Sequence, residues 1–398
     1  MRRRIFEIRV TALMIVLSAG HGLVQTQPRL KSLRPLAIVI TPPSRPVPIF
    51  TGDDRLHAIY EIDLSNYDRS ALKIDRLNLV AKPIEGCNPT SLSYDGGDLS
   101  AIFRVVSAGT SKPQQPLLNS STSATLFLMQ DFSELRCAPP RVANSIVVES
   151  ADHSVAPQLI NAPDTTLQRS EPIVISAPIR GDNWWSGNGP SNFSDHRRAL
   201  VVIDGVARIA QRYAEDWVVL DQQGQSFGGD KARNQSYHCY GKPVFAVADG
   251  TIIEVKDGIT ENIPSPEWDP PIPPAVPIDL ETVAGNHIVQ DLGNGSYALY
   301  AHLIPGSTKL KPGDRVVRGA RIGKVGNSGN STEPHLHFQV MDGPSPLGSN
   351  GLPFAIDHFL RYSYSFKYQS KDHPIALTIG SRKGIREQSV MNDDLGSY

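Results

Sequence analysis

Two histidines, His335 and His337, stand two residues apart in the stretch GNSGNSTEPHLHFQV, residues 326 to 340. Polar residues at 335, 337 and 339 alternate with apolar residues at 336, 338 and 340, which is the period-two pattern of a β-strand. Residues two apart on a strand leave the same face, roughly 7 Å apart. Both imidazoles can therefore serve one active site, with one on a metal and the other on the reacting water.

Three further residues can complete such a site: His196, Asp216 and His302. Two or three histidines plus one aspartate make a zinc ligand set that leaves a position open for water. Zinc lowers the pKa of its water to about 7 and polarises a carbonyl, so an amide can be attacked without a covalent intermediate. The spare histidines would transfer protons and stabilise the oxyanion.

The elements around these residues are short strands separated by glycine-bearing turns, which predict a compact all-β domain over residues 179–365. The predicted strands span 208–220, 243–248, 251–255, 287–292, 297–303, 321–325 and 335–340. Asp249-Gly250 and Asn294-Gly295 are hairpin signals. A helix is expected only at 354–360, and residues 366–398 are interpreted as a C-terminal tail.

Two loops are expected near the site. Residues 256 to 285 are too rich in proline for a strand or a helix interior, so they form a long loop that can rim a binding groove. The adjacent Trp184 and Trp185 precede a turn-rich cluster; they either contact substrate or only anchor a loop.

The first half of the chain has a different character. Short alternating runs between residues 36 and 150 predict an antiparallel β-sandwich that serves packing or binds a partner. Residues 151–178 are interpreted as a linker that ends in a strand at 173–177. Residues 1–22 carry arginines and then a short apolar run, which predicts a secretory signal peptide and export to the periplasm or cell exterior; a membrane anchor is the alternative.

Composition excludes some classes of partner. The formal net charge is −1, so no global basic field favours nucleic acid. No later segment is apolar enough for an integral membrane protein. The three cysteines fit no metal pattern; Cys87 and Cys137 could pair in an exported protein and leave Cys239 over, or all three could stay thiols.

Several motifs in order resemble the lysostaphin-like (LytM-type) zinc metallopeptidases, which cut peptide links in bacterial cell walls. They are GKPVFAVADGTIIEV, YAHL, KPGDRVVRGARIGKVG and NSGNSTEPHLHFQV, between residues 241 and 340. The resemblance implies a duplicated β-rich fold, Zn²⁺ as cofactor and peptidoglycan peptides as substrate. It does not cover residues 36–150.

The resemblance also implies roles: His337 and Asp216 bind zinc, while His302 and His335 form the catalytic pair. One position departs from the family, because Arg212 stands where a second zinc-binding histidine is usual and an arginine cannot ligate zinc. His196 is the preferred replacement and His238 the second choice, and a site lacking the third ligand is the remaining possibility.

The sequence therefore predicts a zinc metalloendopeptidase acting on peptidoglycan stem or cross-bridge peptides. The alternative is a non-catalytic LytM-type module that binds the cell wall or activates another hydrolase, and Arg212 is the feature that favours it. Three imidazoles kept together favour the enzyme, because a decayed site has no chemical reason to retain them.

Overall fold

The protein is predominantly β-strand, as the computed structural model shows for residues 34–87, 91–105, 114–169, 171–265, 272–370 and 373–398. Helices in this part are limited to α1 (Gly96–Ile102), α2 (Asp195–Arg198) and two single turns of 3-10 helix (Leu135–Cys137 and Asn234–Ser236). The predicted all-β class is confirmed. No helix among these residues has the length and apolar character to cross a membrane. The predicted signal peptide, residues 1–22, lies outside the described residues.

The N-terminal half forms one ten-stranded sheet in the order β5-β4-β9-β10-β2-β3-β8-β6, with β1 on β3 and β7 on β4. Its strands are β1 (Ile38–Thr41), β2 (Val47–Gly52), β3 (Arg55–Asn66), β4 (Leu72–Ala81), β5 (Leu92–Asp95), β6 (Phe103–Val105), β7 (Leu117–Leu118), β8 (Ser123–Phe132), β9 (Arg141–Ser150) and β10 (Gln158–Arg169). Alternate apolar residues of β3, such as Ile62 and Leu64, are fully buried in one apolar core. The arrangement of these strands as a two-layered sandwich stays a prediction.

Two features of this half refine the sequence interpretation. Cys87 and Cys137 form a disulfide, and Cys239 is a buried free thiol. The segment interpreted as a linker carries β10, which pairs with β9 and with β2. Its polar, proline-punctuated sequence is typical of a connection, but its backbone hydrogen bonds make it part of the N-terminal sheet.

The C-terminal half is built on an eleven-stranded sheet, β11-β23-β25-β12-β15-β22-β19-β18-β17-β20 with β24 on β23, and two small sheets, β13-β14 and β16-β21. Its strands are β11 (Ile173–Ile175), β12 (Trp184–Gly187), β13 (Val201–Ile203), β14 (Val206–Arg208), β15 (Glu215–Val219), β16 (Pro243–Phe245), β17 (Gly250–Lys256), β18 (Asn286–Gly293), β19 (Ser296–Leu303), β20 (Arg315–Val316), β21 (Arg321–Lys324), β22 (Leu336–Met341), β23 (Phe354–Ser370), β24 (His373–Gln388) and β25 (Leu395–Ser397).

One predicted hairpin turn is confirmed and one is wrong. Asn294 and Gly295 both have positive φ, 52° and 73°, as a two-residue turn between β18 and β19 requires. Asp249-Gly250 joins β16 to β17, which pair with other strands instead of with each other. Gly250 is needed for another reason: a Cβ there would lie 2.3 Å from the carbonyl oxygen of Asp291.

Three C-terminal interpretations are corrected. The expected helix at 354–360 is the start of β23, whose backbone groups pair with β11, β24 and β25. Residues 366–398 are not a tail, because β24 and β25 belong to the main sheet. The expected strand at 208–220 is broken by a turn at 210–213, so Arg212 does not share a strand face with Asp216.

Candidate metal centre

Three neighbouring strands of the large sheet place Asp216, His337 and His302 side by side. Asp216 on β15 is the direct cross-strand partner of His337 on β22, and Ala301 on β19 is the partner of His337 on the other side. His302 follows Ala301 at a β-bulge and has a φ of +61°, a backbone conformation that residues other than glycine rarely adopt. The bulge directs this imidazole toward its neighbours rather than along the regular pleat.

His196 reaches the same place from α2. The hydroxyl of Ser194 accepts a hydrogen bond from the backbone N–H of Arg197 and so caps this single helical turn. The Nε2 atom of His196 lies 3.2 Å from Oδ2 of Asp216, and its ring is 4.7 Å from the ring of His337. The structure therefore brings together all three residues that the sequence nominates as metal ligands.

The distances among these ligand atoms suit a zinc ion. One nitrogen each from His196 and His337 and one oxygen of Asp216 lie within 4.8 Å of one another, and Nδ1 of His337 is 2.9 Å from Oδ1 of Asp216. Tetrahedral ligands at 2.0–2.1 Å from zinc would be about 3.3 Å apart. The mixed nitrogen and oxygen set is also the chemistry that catalytic zinc uses.

The outer ring nitrogens of the histidines are held by hydrogen-bond acceptors. Nε2–H of His337 can donate to Oε1 of Gln339 at 3.0 Å, which leaves the lone pair of Nδ1 facing Asp216. Nδ1 of His196 lies 3.4 Å from the carbonyl oxygen of Ala214 and leaves Nε2 free in the same way. Such outer partners fix the tautomer and orientation of metal-binding imidazoles.

His302 and His335 form a second group around His337, and Nε2 of His335 lies 3.3 Å from Oδ1 of Asp216. Nδ1 of His302 is 2.7 Å from the carbonyl oxygen of Ser328, and Nδ1 of His335 is 2.8 Å from that of Glu333. Their rings are 4.8 Å apart, and the ring of His302 is 5.6 Å from that of His337. Ligand atoms of these three histidines also lie within 4.8 Å of one another, so His337 is common to both groups.

The charges of the cluster are coupled. Burial would raise the pKa of Asp216, but His196 and His335 outweigh it and hold that pKa well below its ordinary value. Burial, reinforced by His335 and His337, lowers the pKa of His302 well below its ordinary value. Asp216 is thus a carboxylate and His302 a neutral imidazole at neutral pH. Asn188 donates to Oδ2 of Asp216 at 3.0 Å and helps to orient the carboxylate.

The two residues weighed against His196 lie elsewhere. Arg212 turns away from the cluster and pairs with Glu61 of β3, with 2.6 Å between Nη2 and Oε2. His238 lies 3.5 Å from a carboxylate oxygen of Asp221, outside both histidine groups. Neither residue joins the three ligand candidates.

A small cavity borders the site. It has a volume of about 30 Å³ and lies between His302 and His337 on one side and Gln211 and Leu347 on the other; that is room for about two water molecules. The described parts of the proline-rich loop flank it, because Val283 and Ala284 also line the cavity.

The tryptophans do not line this cavity. Trp184 lies within β12 and is buried in the core of the C-terminal half, where its indole N–H donates to the carbonyl of Arg180. Trp185 packs beside Val218 and Leu220. Of the two interpretations of this pair, the anchoring role fits Trp184, although it lies in a strand rather than in the loop that the turn-rich sequence after it predicts.

Two residues that hydrogen-bond the candidate ligands, Gln339 and Asn188, are not singled out as site residues by the sequence. Gln339 carries a signal, since it continues the polar alternation of His335 and His337 along one strand face. Asn188 carries none, because it reaches Asp216 only through the positive φ of 53° that it adopts after β12.

Known proteins match the part of the chain that holds three of the four histidines of the site. The family model described as peptidase family M23 matches residues 235–349. The peptidoglycan DD-endopeptidase ShyA of Vibrio cholerae serotype O1 is 31% identical over 109 residues, which is 27% of this chain and 20% of that protein. The match thus spans about a fifth of that relative's length.

Parts of the chain are also similar to solved structures. The catalytic domain of a mutant of the prophage-encoded M23 protein EnpA from Enterococcus faecalis has 18% identity and a TM-score of 0.26, covering 44% of this chain and 93% of that one. The lysostaphin catalytic domain from Staphylococcus simulans has 23% identity and a TM-score of 0.21, covering 41% and 80%. Residues 235–349 therefore resemble peptidase family M23, and they contain all the lysostaphin-like motifs of the sequence.

Proposed function

We propose that the protein is a zinc metalloendopeptidase that hydrolyses peptide bonds in the stem or cross-bridge peptides of peptidoglycan. The observation that carries this proposal is the convergence of His196, Asp216 and His337 beside a second pair of imidazoles, His302 and His335. The M23 match and the relative whose name is peptidoglycan DD-endopeptidase support the substrate class.

In this proposal His196, Asp216 and His337 hold the zinc ion. Bound zinc supplies Lewis acidity, which makes water a nucleophile at neutral pH and polarises the carbonyl of the scissile amide. The side chains of Gln339 and Asn188 keep the ligands oriented, as their hydrogen bonds to His337 and Asp216 allow. Burial of His196, His337 and Gln339 keeps the electrostatic interactions of the set strong.

His302 and His335 carry the proton chemistry. Each ring uses Nδ1 to bind a backbone carbonyl, so each presents Nε2 toward the shared centre. A neutral ring can take a proton from the attacking water there, and a protonated ring can donate to the oxyanion that develops on the carbonyl. The neutral ring of His302 fits the base role. Burial would lower the pKa of His335, but Asp216 outweighs it and raises that pKa, so His335 fits the oxyanion role.

The non-catalytic alternative rests on Arg212, which replaces a histidine of the family pattern. Arg212 has another partner in this fold, Glu61, and the imidazole of His196 lies beside Asp216 without it. The departure at 212 therefore no longer favours an empty site.

The setting of the protein follows from its proposed substrate. Peptidoglycan lies in the cell envelope, and the disulfide between Cys87 and Cys137 suits an oxidising, exported environment. The net charge of −1 gives no reason to expect nucleic acid as a partner. A cell-wall protein partner for the N-terminal sheet stays a prediction.

Digestion of purified peptidoglycan by the full chain tests the proposal. The protein is treated with a chelator and divided, and zinc is restored to one half; released amino termini are counted and the soluble products weighed by mass spectrometry. We expect peptide release only with zinc, and a loss of about 100-fold or more for His335→Ala and His302→Ala. Intact glycan-linked peptides after incubation with zinc-loaded protein would leave only the binding-module alternative.

A further inference from the structure

A partly buried carboxylate of the N-terminal sheet binds both segments that bring His196 and Asp216 to the metal centre. Glu61 on β3 accepts hydrogen bonds from the guanidinium groups of Arg197 and Arg212. These partners are 136 and 151 residues away along the chain. Arg197 immediately follows His196, and Arg212 stands four residues before Asp216.

The helical turn that carries His196 lies directly against the N-terminal sheet. Arg197 is fully buried, and its Nη2 also donates to the carbonyl of Tyr60 at 2.8 Å. Arg198 donates to the carbonyl of Ala101 at 2.6 Å, at the end of α1. The residues next to His196 are therefore tied to the N-terminal half, while the imidazole itself points the other way.

The turn before Asp216 is tied to the same sheet by two different contacts. Arg212 binds both carboxylate oxygens of Glu61, at 2.6 Å and 3.3 Å. The next residue, Tyr213, is buried in an apolar cluster with Phe50 and Met391, and its ring meets that of Phe50 edge to face at 5.3 Å. The turn has little freedom to move relative to β3.

The charges make Glu61 the centre of this arrangement. Burial would raise the pKa of Glu61, but Arg197 and Arg212 outweigh it and lower the pKa to about 2. Two guanidinium groups, Arg197 fully buried and Arg212 partly buried, thus share one carboxylate. Removing that carboxylate would leave both without their charge partner. A bidentate guanidinium–carboxylate contact also fixes direction, which a single point charge does not.

We propose that Glu61 is a positioning residue for the metal centre. Through Arg197 and Arg212 it holds α2 and the turn at 210–213 at the separation that lets His196 and Asp216 share a metal ion. The N-terminal half is then part of the apparatus that builds the site, and Arg212 serves that site from outside. This inference rests on the proposed zinc function.

The test compares Glu61→Gln with Asp63→Asn in the full chain. Asp63 is the matched control, because it lies two residues along β3 and binds Thr125 of the same sheet rather than an arginine of the C-terminal half. Zinc affinity is measured by competition with a chromophoric chelator, and ligand geometry by the visible absorption of the cobalt(II)-substituted protein, both well below the melting temperature.

We expect Glu61→Gln to weaken zinc binding by about 10-fold or more and to change the cobalt band, within the range that loss of an outer-shell partner produces. Asp63→Asn should match the wild type in both. A folded Glu61→Gln protein with wild-type zinc affinity and cobalt spectrum would overturn the positioning role. A wild-type chain that binds no zinc would instead overturn the proposed function, and this inference with it.

Arg212→Lys covers the case in which Glu61→Gln does not fold. It keeps the charge beside Glu61 but loses the bidentate contact, so we expect a wild-type circular dichroism spectrum with zinc affinity lowered by about 3-fold or more. Unchanged affinity and an unchanged cobalt spectrum in this variant would also overturn the proposal.

Discussion

Asp216 and His337 stand directly opposite each other on β15 and β22, with 2.9 Å between Oδ1 and Nδ1. In the open β-sheet this pairing would be an ordinary cross-strand contact. Here His196 approaches the other oxygen of the same carboxylate at 3.2 Å. Nε2 of His335 also lies 3.3 Å from Oδ1 of Asp216. This carboxylate is the core of the proposed zinc site.

Replacing the third ligand tests the role of His196. We expect His196→Ala to weaken zinc binding by about 100-fold or more, because two protein ligands hold the metal poorly. His238→Ala is the matched control, since that histidine lies beside Asp221 and outside the cluster. Zinc affinity by chelator competition distinguishes them. Wild-type zinc affinity in His196→Ala would exclude His196 as the third ligand, and a loss of affinity in His238→Ala alone would identify His238 instead.

The residue that sets the tautomer of His337 can be tested without touching a ligand. Gln339→Leu removes the acceptor for Nε2–H of His337, and we expect zinc affinity to fall by about 10- to 100-fold. Gln339→Glu keeps an acceptor oxygen at the same place and should retain zinc within a few-fold of the wild type. If both variants bound zinc equally well, the hydrogen bond seen at 3.0 Å would have no part in metal binding.

The disulfide should contribute to the stability of the N-terminal half. Cys87 and Cys137 are 50 residues apart, and chain-entropy arguments give about 4 kcal/mol for closing a loop of that length. We expect the double variant Cys87→Ser/Cys137→Ser to unfold at a lower urea concentration than the wild type. Its free energy of unfolding should be lower by about that amount. Cys239→Ser, at the free buried thiol, is the comparison. A wild-type free energy of unfolding in the double variant would show that the disulfide does not contribute to stability.

A buried histidine outside the site gives a pH dependence of folding. Burial would lower the pKa of His57, but hydrogen bonds to Asp131 and Asp53 outweigh it and raise the pKa to about 9. A folded pKa above the unfolded value of about 6.5 means that protonation stabilises the native state. This stability is complete below about pH 6.5 and is lost as pH rises through about 9, by up to about 3 kcal/mol.

Urea unfolding at pH 6.5 and pH 9.5 measures that loss. His57→Gln does not titrate, so it should lose less stability over this interval than the wild type. His358→Gln is the control, because His358 is exposed on β23 and bound to Asp357 at the surface. Parallel losses in the wild type and His57→Gln would contradict the raised pKa.

The sequence predicts the strands of the site better than what surrounds them. Two local signals are confirmed. The alternation around His335 and His337 gives β22, and the Asn294-Gly295 turn joins β18 to β19. The break before Asp216 is different, because tertiary packing of Tyr213 against Phe50 decides it. The β-propensity of residues 208–220 favours a continuous strand, because it does not depend on contacts with distant residues such as Phe50.

The role of Arg212 is also beyond local sequence. Its absence from the metal cluster follows from a carboxylate on β3, 151 residues earlier, and no spacing rule connects them. The same holds for β10, whose proline-punctuated sequence is typical of a linker, and for β24, which lies in the segment interpreted as a tail. Their backbone hydrogen bonds with distant strands make them parts of the two large sheets.

The most direct test of the account is the zinc content of three proteins, the wild type, His335→Ala and His337→Ala, after equilibrium dialysis against zinc. The account predicts about one zinc per chain in the wild type and in His335→Ala, and less than about a tenth of an equivalent in His337→Ala. Less than about a tenth of an equivalent in the wild type, or a full equivalent in His337→Ala, would contradict it.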